Sequence, residues 1–493
     1  MTIDAARLHT LTLTEVLAVF RTGDLTPTTY MEACIARIHA LDPTYNAVMD
    51  IMEEPARQAA AAATEAYRRS STSAPSAGAS AGDLPPLLGI PLLVKEQHDV
   101  AGCSATRGSR ARAGQVAAAD HPFVARLRAA GAIPFARTTT PESSCATFTQ
   151  TEEWGTSRNP FNLKRTPGGS SGGSGAAVAL GYAPLATASD IAGSTRIPAA
   201  FCGLPGFKTP FGRTPAVPPL NQDWYRGDHI LARTVADTAF ATGISCGIHP
   251  ADHATTPTPQ PYLADPEVFS GDLTGLRVGV SPDLGCYAVD PEVAAGLQRA
   301  AEALAAAGAE VVEADVALSL EEITAASMSH YGHFIAGNIR RMCDGRIDLL
   351  EPYTQLFLQL TEQWAQRIPV IESLVLENRI QTTLATALDA VDVLLTPTSA
   401  VASLAADDHH LDGLDGCEFY WQRHMTVPFN IANRLPVMAM PTGVADGSHG
   451  GSAHGVPTSV QIVGRAYDDE TVFRVAAALE SRLPAPVAPA MQD

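Results

Sequence analysis

The sequence predicts an α/β fold: a mixed, mostly parallel twisted sheet covered by helices, with a helical insertion. Three observations carry this reading. Short apolar runs of strand length alternate with helix-patterned stretches, two small-residue loops are embedded in apolar sequence, and residues 318–385 are long and mostly helical in pattern. Strands separated by helices are the pattern of a sheet with helices packed on it.

Residues 1–69 are expected to be N-terminal helices. Leu13, Val16, Leu17 and Phe20 recur at helical spacing, as do Tyr30, Cys34 and Ile38. Thr26-Pro27 reads as a helix start, with the threonine as cap and proline at the first helical position. Residues 70–86, SSTSAPSAGASAGDLPP, have the composition of a flexible, exposed linker.

Residues 87–317 form the expected catalytic core, and residues 386–493 its C-terminal part. Within them Gly89–Val94, Ile133–Ala136, Leu276–Val280, Glu310–Val312, Val393–Leu395, Val437–Met440 and Ser459–Val463 read as strands. In the 318–385 insertion, Leu349, Leu350, Tyr353, Leu356, Phe357, Leu360 and Trp364 lie about a turn apart. That stripe suits either ordinary core packing or a cap over a substrate.

Composition bounds the function. The 493 residues are 46% hydrophobic and 17% charged, with a mean hydropathy of +0.04, enough apolar material for a large core. Fifty-two acidic residues against 33 basic give a formal charge of −19, which disfavours a nucleic-acid partner. No run of about 18 uncharged apolar residues points to a membrane span. Met1–Asp4 lacks the basic region and apolar run of a signal peptide. The eight cysteines show no CxxC pairing, so reduced thiols and a cytoplasmic location are expected, without structural zinc or disulfides.

The most unusual stretch is 166–208, TPGGSSGGSGAAVALGYAPLATASDIAGSTRIPAAFCGLPGFK. Glycines at 168, 169, 172, 173 and 175 interleave with Ser170, Ser171 and Ser174, and a second small-residue loop spans Asp190–Ser194. So much glycine destabilises regular elements. A linker would not run straight into the helix-prone Ala176–Leu180, so the loops read as backbone shaped around a reacting group.

Other motifs fit less well. Gly168–Gly172 satisfies G-x-S-x-G, but the preceding Asn159–Pro167 is proline-broken loop and not the strand a nucleophile elbow needs. Gly203–Thr209 lacks P-loop spacing, and no G-x-G-x-x-G follows a strand. Asp407-Asp408-His409-His410 has no patterned partner and reads as a solvated turn, so no metal or other cofactor is expected.

GGSSGG at 168–173, DIAGSTRIPAAFCG at 190–203 and GFK at 206–208 together resemble the amidase signature family. LTLTEVLAVFRTGDLTP near the N-terminus, GIPLLVKEQHDVAG at 89–102, LARTVADTAF at 231–240, DVLLTPTSA at 392–400 and VQIVGRAYDDETVFRVA at 460–476 extend the resemblance over most of the chain, in the family's order. It places the family's lysine on Lys95, its bridging serine, with a cis peptide before it, on Ser170, and its nucleophile on Ser194, 24 residues further on. One departure stands in the nucleophile loop, where Ala192 replaces the first of two glycines.

The implied mechanism answers a chemical need. Amide carbonyls are poor electrophiles, so attack requires an activated hydroxyl and a held oxyanion. Lys95 draws a proton from Ser170, Ser170 draws one from Ser194, and Ser194 forms the acyl-enzyme. A lysine base must be neutral, which burial after the apolar strand Ile90–Val94 would favour. His98 is the single histidine near these loops in sequence, so a Ser–His–Asp scheme lacks an obvious base. The N–H groups of Ile191, Ala192, Gly193 and Ser194 are the expected oxyanion hole, with Asp190 and Arg196 bracing the loops.

The resemblance implies a hydrolase of small amides, aryl or apolar, with carbamates (urethanes) as a further candidate class, acting as a monomer or homodimer. A glutaminase subunit of a tRNA-dependent amidotransferase shares the signature and is the alternative. A purely binding module is the third reading, opposed by retention of all three catalytic residue types.

Overall fold

The computed structural model describes residues 5–72, 84–257, 266–414, 417–448 and 455–492. Among them the strands are β1 (Val48–Ile51), β2 (Pro91–Lys95), β3 (Ile133–Thr138), β4 (Gln150–Thr151), β5 (Gly155–Thr156), β6 (Leu185–Asp190), β7 (Gly206–Lys208), β8 (Gly227–Ala232), β9 (Arg277–Val280), β10 (Glu310–Glu313), β11 (Val393–Pro397), β12 (Val437–Ala445) and β13 (Val456–Gly464). Eleven join one sheet in the order β1-β3-β2-β6-β8-β7-β12-β13-β11-β9-β10, while β4 and β5 pair separately.

The expected mixed sheet is present. Its parallel pairs are β2 with β3 and β6, and β9 with β10 and β11; antiparallel ladders through β8, β7, β12 and β13 join the two groups. Helices cover both faces, so central strands are buried along their whole length, β2, β6 and β13 among them. All seven strands expected from sequence occur. Those not anticipated include β6, whose Leu-Ala-Thr-Ala-Ser-Asp lacks β-branched apolar residues and alternation.

The first helix, Leu13–Thr22, buries Leu13, Val16, Leu17 and Phe20, and Thr12 with Glu15 forms a capping box. Thr26 caps the Pro27–Tyr45 helix by accepting from Thr29 N–H, as the Thr-Pro pair predicted. Asp237 accepts from Leu13 and Thr14 N–H at 2.8 and 3.0 Å, tying this end of the chain to the core. The Glu53–Thr72 helix runs into the expected linker, whose residues 73–83 lie outside the described residues.

The insertion is helical: Leu320–Tyr331, Gly337–Cys343, Pro352–Arg367 and Val370–Asp389, the last running past the expected boundary at 385. A Cβ on Gly332, just past the first of these helices, would lie 2.1 Å from Thr361 O, so only glycine lets the chain there approach the Pro352–Arg367 helix this closely. The insertion shares a core with the sheet, since Ile323, Ala326, Ile380 and Leu384 pack in one cluster with Leu394, Met425 and Phe429. Among the described residues no helix is long and apolar enough to cross a membrane, and the eight cysteines are free thiols.

Candidate active site

Lys95 ends β2, and the buried run Pro91-Leu92-Leu93-Val94 carries it into the interior, where it is 0% exposed. Its backbone N–H donates to Thr187 Oγ1 at 2.9 Å. Its Nζ lies 2.7 Å from Ser170 Oγ and 2.8 Å from Ser189 Oγ. Burial, aided by the positive charge of Arg226, pushes its pKa well below the ordinary lysine value, against the pull of Asp228, Asp190 and Glu96. The amine is therefore suited to act as a base.

Ser170 follows a cis peptide bond after Gly169. Its carbonyl accepts from Thr140 Oγ1 at 2.9 Å. A Cβ on Gly169 would lie 2.7 Å from Phe148 O, so the glycine permits the loop to press against that backbone. Ser171 N–H donates to Ser194 O at 3.3 Å and joins the two small-residue loops directly.

The Ser194 loop leaves β6 through Asp190, and that carboxylate organises it. Asp190 accepts from Gly193 N–H at 2.8 Å, Thr195 N–H at 3.2 Å, Arg196 Nε at 3.0 Å and Asn430 Nδ2 at 2.8 Å. Burial would raise its pKa, but the Arg196 charge and these hydrogen bonds hold the carboxyl well below its usual range. Arg196 also donates to Gln461 Oε1 and Asn430 Oδ1, so the pair braces the loop as expected. Gly193 has φ +115°, and a Cβ there would lie 2.2 Å from Thr426 Oγ1. Thr426 Oγ1 donates to Ala192 O at 2.6 Å, and Tyr331 donates from the insertion to Ile191 O at 3.3 Å.

These contacts sort the four expected oxyanion donors. Gly193 N–H is committed to Asp190, because the loop's curvature turns it inward to the carboxylate. Among the described residues the N–H groups of Ile191, Ala192 and Ser194 donate to no protein atom. The structure brings Lys95 and Ser170 into contact and sets Ser194 on the cavity wall that Ser170 also lines.

His98 is buried and both ring nitrogens are engaged, with Asp228 Oδ1 at 2.9 Å and Thr187 Oγ1 at 2.9 Å. Asp228 is held ionised against burial by Arg226 and His98, so His98 Nε2 donates to it and Nδ1 accepts from Thr187. That leaves a Thr187 lone pair for the backbone N–H of Lys95. His98 thus anchors the lysine's main chain. His98, His121 and Asp228 place ligand atoms within 4.8 Å of one another, yet Arg226 donates to the same Asp228 Oδ1 at 2.8 Å. A cation there would face the guanidinium, and the cluster reads as an ion-pair brace. At the other histidine pair, Asp407 and Asp408 are exposed as expected, but His410 is buried, its ring packed against Phe148 and Tyr420 with centroids 5.6 Å from each.

The cavity and the solvent at its mouth together span about 840 Å³. Its wall is mostly apolar: Cys145, Ala146, Ile191, Ala192, Leu220, Met328, Tyr331, Ile335, Phe357, Tyr420, Trp421 and Val427. Ser170, Ser194, Ser189, Gln97, Ser143, Ser144 and Thr147 supply polar groups, and among the described residues Arg226 is the one charged side chain lining it. Sequence reasoning passed over Ser189, Gln97 and Ser144. Only their nearness to Lys95 and Asp190 in the chain could have drawn attention to the first two.

The sequence pattern of the Amidase family matches residues 29–473. The chain belongs to the amidase signature family. This amidase is 32% identical to a glutamyl-tRNA(Gln) amidotransferase subunit of Roseiflexus sp. (strain RS-1), over 95% of each chain. It is 32% identical to an acylamidase of Rhodococcus erythropolis, covering 97% of this chain and 96% of that one. A bacterial aryl acylamidase of the same family superposes with a TM-score of 0.84 at 23% identity, covering 97% of each chain, a likeness of fold. The protein is an amide C–N hydrolase.

Proposed function

We propose that the enzyme hydrolyses apolar and aryl amides, and aryl carbamates, through an acyl-enzyme on Ser194. The apolar cavity onto which Ser170 and Ser194 both open carries this reading, because such walls bind aromatic and aliphatic groups with few polar anchors. Lys95 takes the proton of Ser170 as Ser170 takes that of Ser194. Ser194 attacks the carbonyl, and the N–H groups of Ile191, Ala192 and Ser194 hold the oxyanion. Ser170 then returns a proton to the leaving nitrogen, and water releases the acid. A carbamate presents the same carbonyl and leaving nitrogen, so the same groups serve it.

The similarity to the amidotransferase protein of Roseiflexus favours a second reading, a glutaminase. Free glutamine carries an ammonium and a carboxylate. Among the described residues no Asp or Glu lines the cavity to meet the ammonium, and Arg226 is already paired with Asp228. Steady-state rates on p-nitroacetanilide, an N-aryl carbamate and glutamine test the choice. Turnover of the aryl substrates with poor glutamine hydrolysis is expected; efficient glutamine hydrolysis beside inert aryl substrates reverses it.

A further inference from the structure

Gln97 lies two residues beyond Lys95 and lines the cavity. Its Oε1 accepts from Ser189 Oγ at 2.8 Å and from Ser144 Oγ at 2.8 Å. A carbonyl oxygen only accepts, and a serine hydroxyl has one proton. Ser189 gives that proton to Gln97, so it faces Lys95 Nζ, 2.8 Å away, with lone pairs alone. The amine must donate there.

A neutral lysine has two N–H bonds and one lone pair. If Ser189 donated to it, that lone pair would be filled and Ser170 Oγ, at 2.7 Å, would meet only N–H. We infer that Gln97 is a positioning residue that keeps the single lone pair of Lys95 free for the proton of Ser170. This rests on the reading of Lys95 as the base.

An independent feature supports it. Ser143 and Ser144 both have left-handed φ, 52° and 58°, a region costly for residues with a Cβ. The turn is held there from three sides: Ser143 N–H donates to Arg107 O at 2.7 Å, Glu142 N–H to Tyr353 Oη at 2.8 Å, and Glu351 N–H to the Glu142 carboxylate at 2.7 Å. The strained turn delivers Ser144 to the second acceptor site on Gln97. Ser144 Oγ lies closer to Gln97 Oε1, at 2.8 Å, than to Thr140 Oγ1, at 3.2 Å, and gives its proton to the carboxamide; flipped, Gln97 would offer N–H groups to both serines and reverse the line.

The test is a double-mutant cycle read as pH–rate profiles on p-nitroacetanilide, with folding followed by thermal melts. Gln97→Leu should lower kcat about 10- to 100-fold, part of what acid–base groups contribute, with little change in KM. In a Ser189→Ala background no hydroxyl competes for the lone pair, so adding Gln97→Leu should cost about twofold or less. Gln97→Glu keeps two acceptor sites and should recover most of the plateau rate. Its negative charge favours the ammonium form and should move the rising limb to higher pH.

A residue with a merely structural role would lose activity alike as Leu and Glu, with no shift in the limb. That result, or a Gln97→Leu enzyme within about twofold of wild type, overturns the inference. Lys95→Met with retained turnover overturns the reading of the base. An inactive Lys95→Met beside a normal Gln97→Leu overturns only the role of Gln97.

Discussion

Tyr331 of the insertion donates its phenol proton to the carbonyl of Ile191, 3.3 Å away, in the loop that carries Ser194. In a trans peptide C=O and N–H point in opposite directions, so holding that carbonyl aims the N–H of Ala192. Burial pushes the Tyr331 phenol far up, so it remains a donor throughout the working range.

Tyr331→Phe should therefore lower kcat about 2- to 10-fold, the worth of one hydrogen bond, while KM and melting temperature change little. An unchanged kcat would show that the Ile191–Ala192 peptide is aimed without help from the insertion.

A serine-reactive fluorophosphonate should add once per chain, and peptide mass mapping should place it on Ser194. Ser194→Ala should abolish both labelling and turnover. Adducts on Ser170 or Ser171 would reverse the assignment of the nucleophile.

As the proposed base, Lys95 should make activity and stability respond to pH in the same sense. Activity should rise with pH through its lowered pKa and then level off. For stability, the unfolded lysine binds a proton below about 10.4 whereas the folded one does so only at much lower pH. Falling pH thus favours the unfolded chain between those two values. Denaturant melts should show wild type losing stability relative to Lys95→Met as pH drops from about 10 towards neutrality. Parallel stability curves would mean the buried amine stays charged.

Ala192 lines the cavity while its carbonyl is held by Thr426. Removing the methyl in Ala192→Gly should widen the acyl side, changing relative rates across acetyl, butyryl and benzoyl anilides by more than it changes melting temperature. Equal relative rates with a lowered melting temperature would assign the methyl to packing alone.

Asp190→Ala should destabilise the fold by about 3–5 kcal/mol, because it leaves the buried Arg196 guanidinium without its counter-charge. Chemical denaturation at pH 7 measures this. A loss under about 1 kcal/mol would show that Asn430 and Gln461 suffice for Arg196.

Much of the architecture was legible because buried apolar strands such as Leu92–Val94 and Val393–Leu395 announce themselves. Strand β6 did not, since its Thr187 and Ser189 are buried by virtue of hydrogen bonds to Lys95, His98 and Gln97, which no local pattern reveals. Lys95, Ser170 and Ser194 were named from motif order, and the structure adds the 2.7 Å contact of the first two. Gln97 was passed over because a lone amide after a strand reads as loop. The commitment of Gly193 N–H to Asp190 depends on a backbone turn that spacing does not encode.

The contact between Tyr331 and Ile191 bears on how this enzyme would be re-engineered. Under the proposed mechanism a wall residue bonded to the Ser194 loop cannot be exchanged for fit alone, because each new side chain would also re-aim the Ile191–Ala192 peptide. Libraries seeking new acyl groups would do better to begin at Ile335 and Phe357, which line the same wall, and to leave Tyr331 in place.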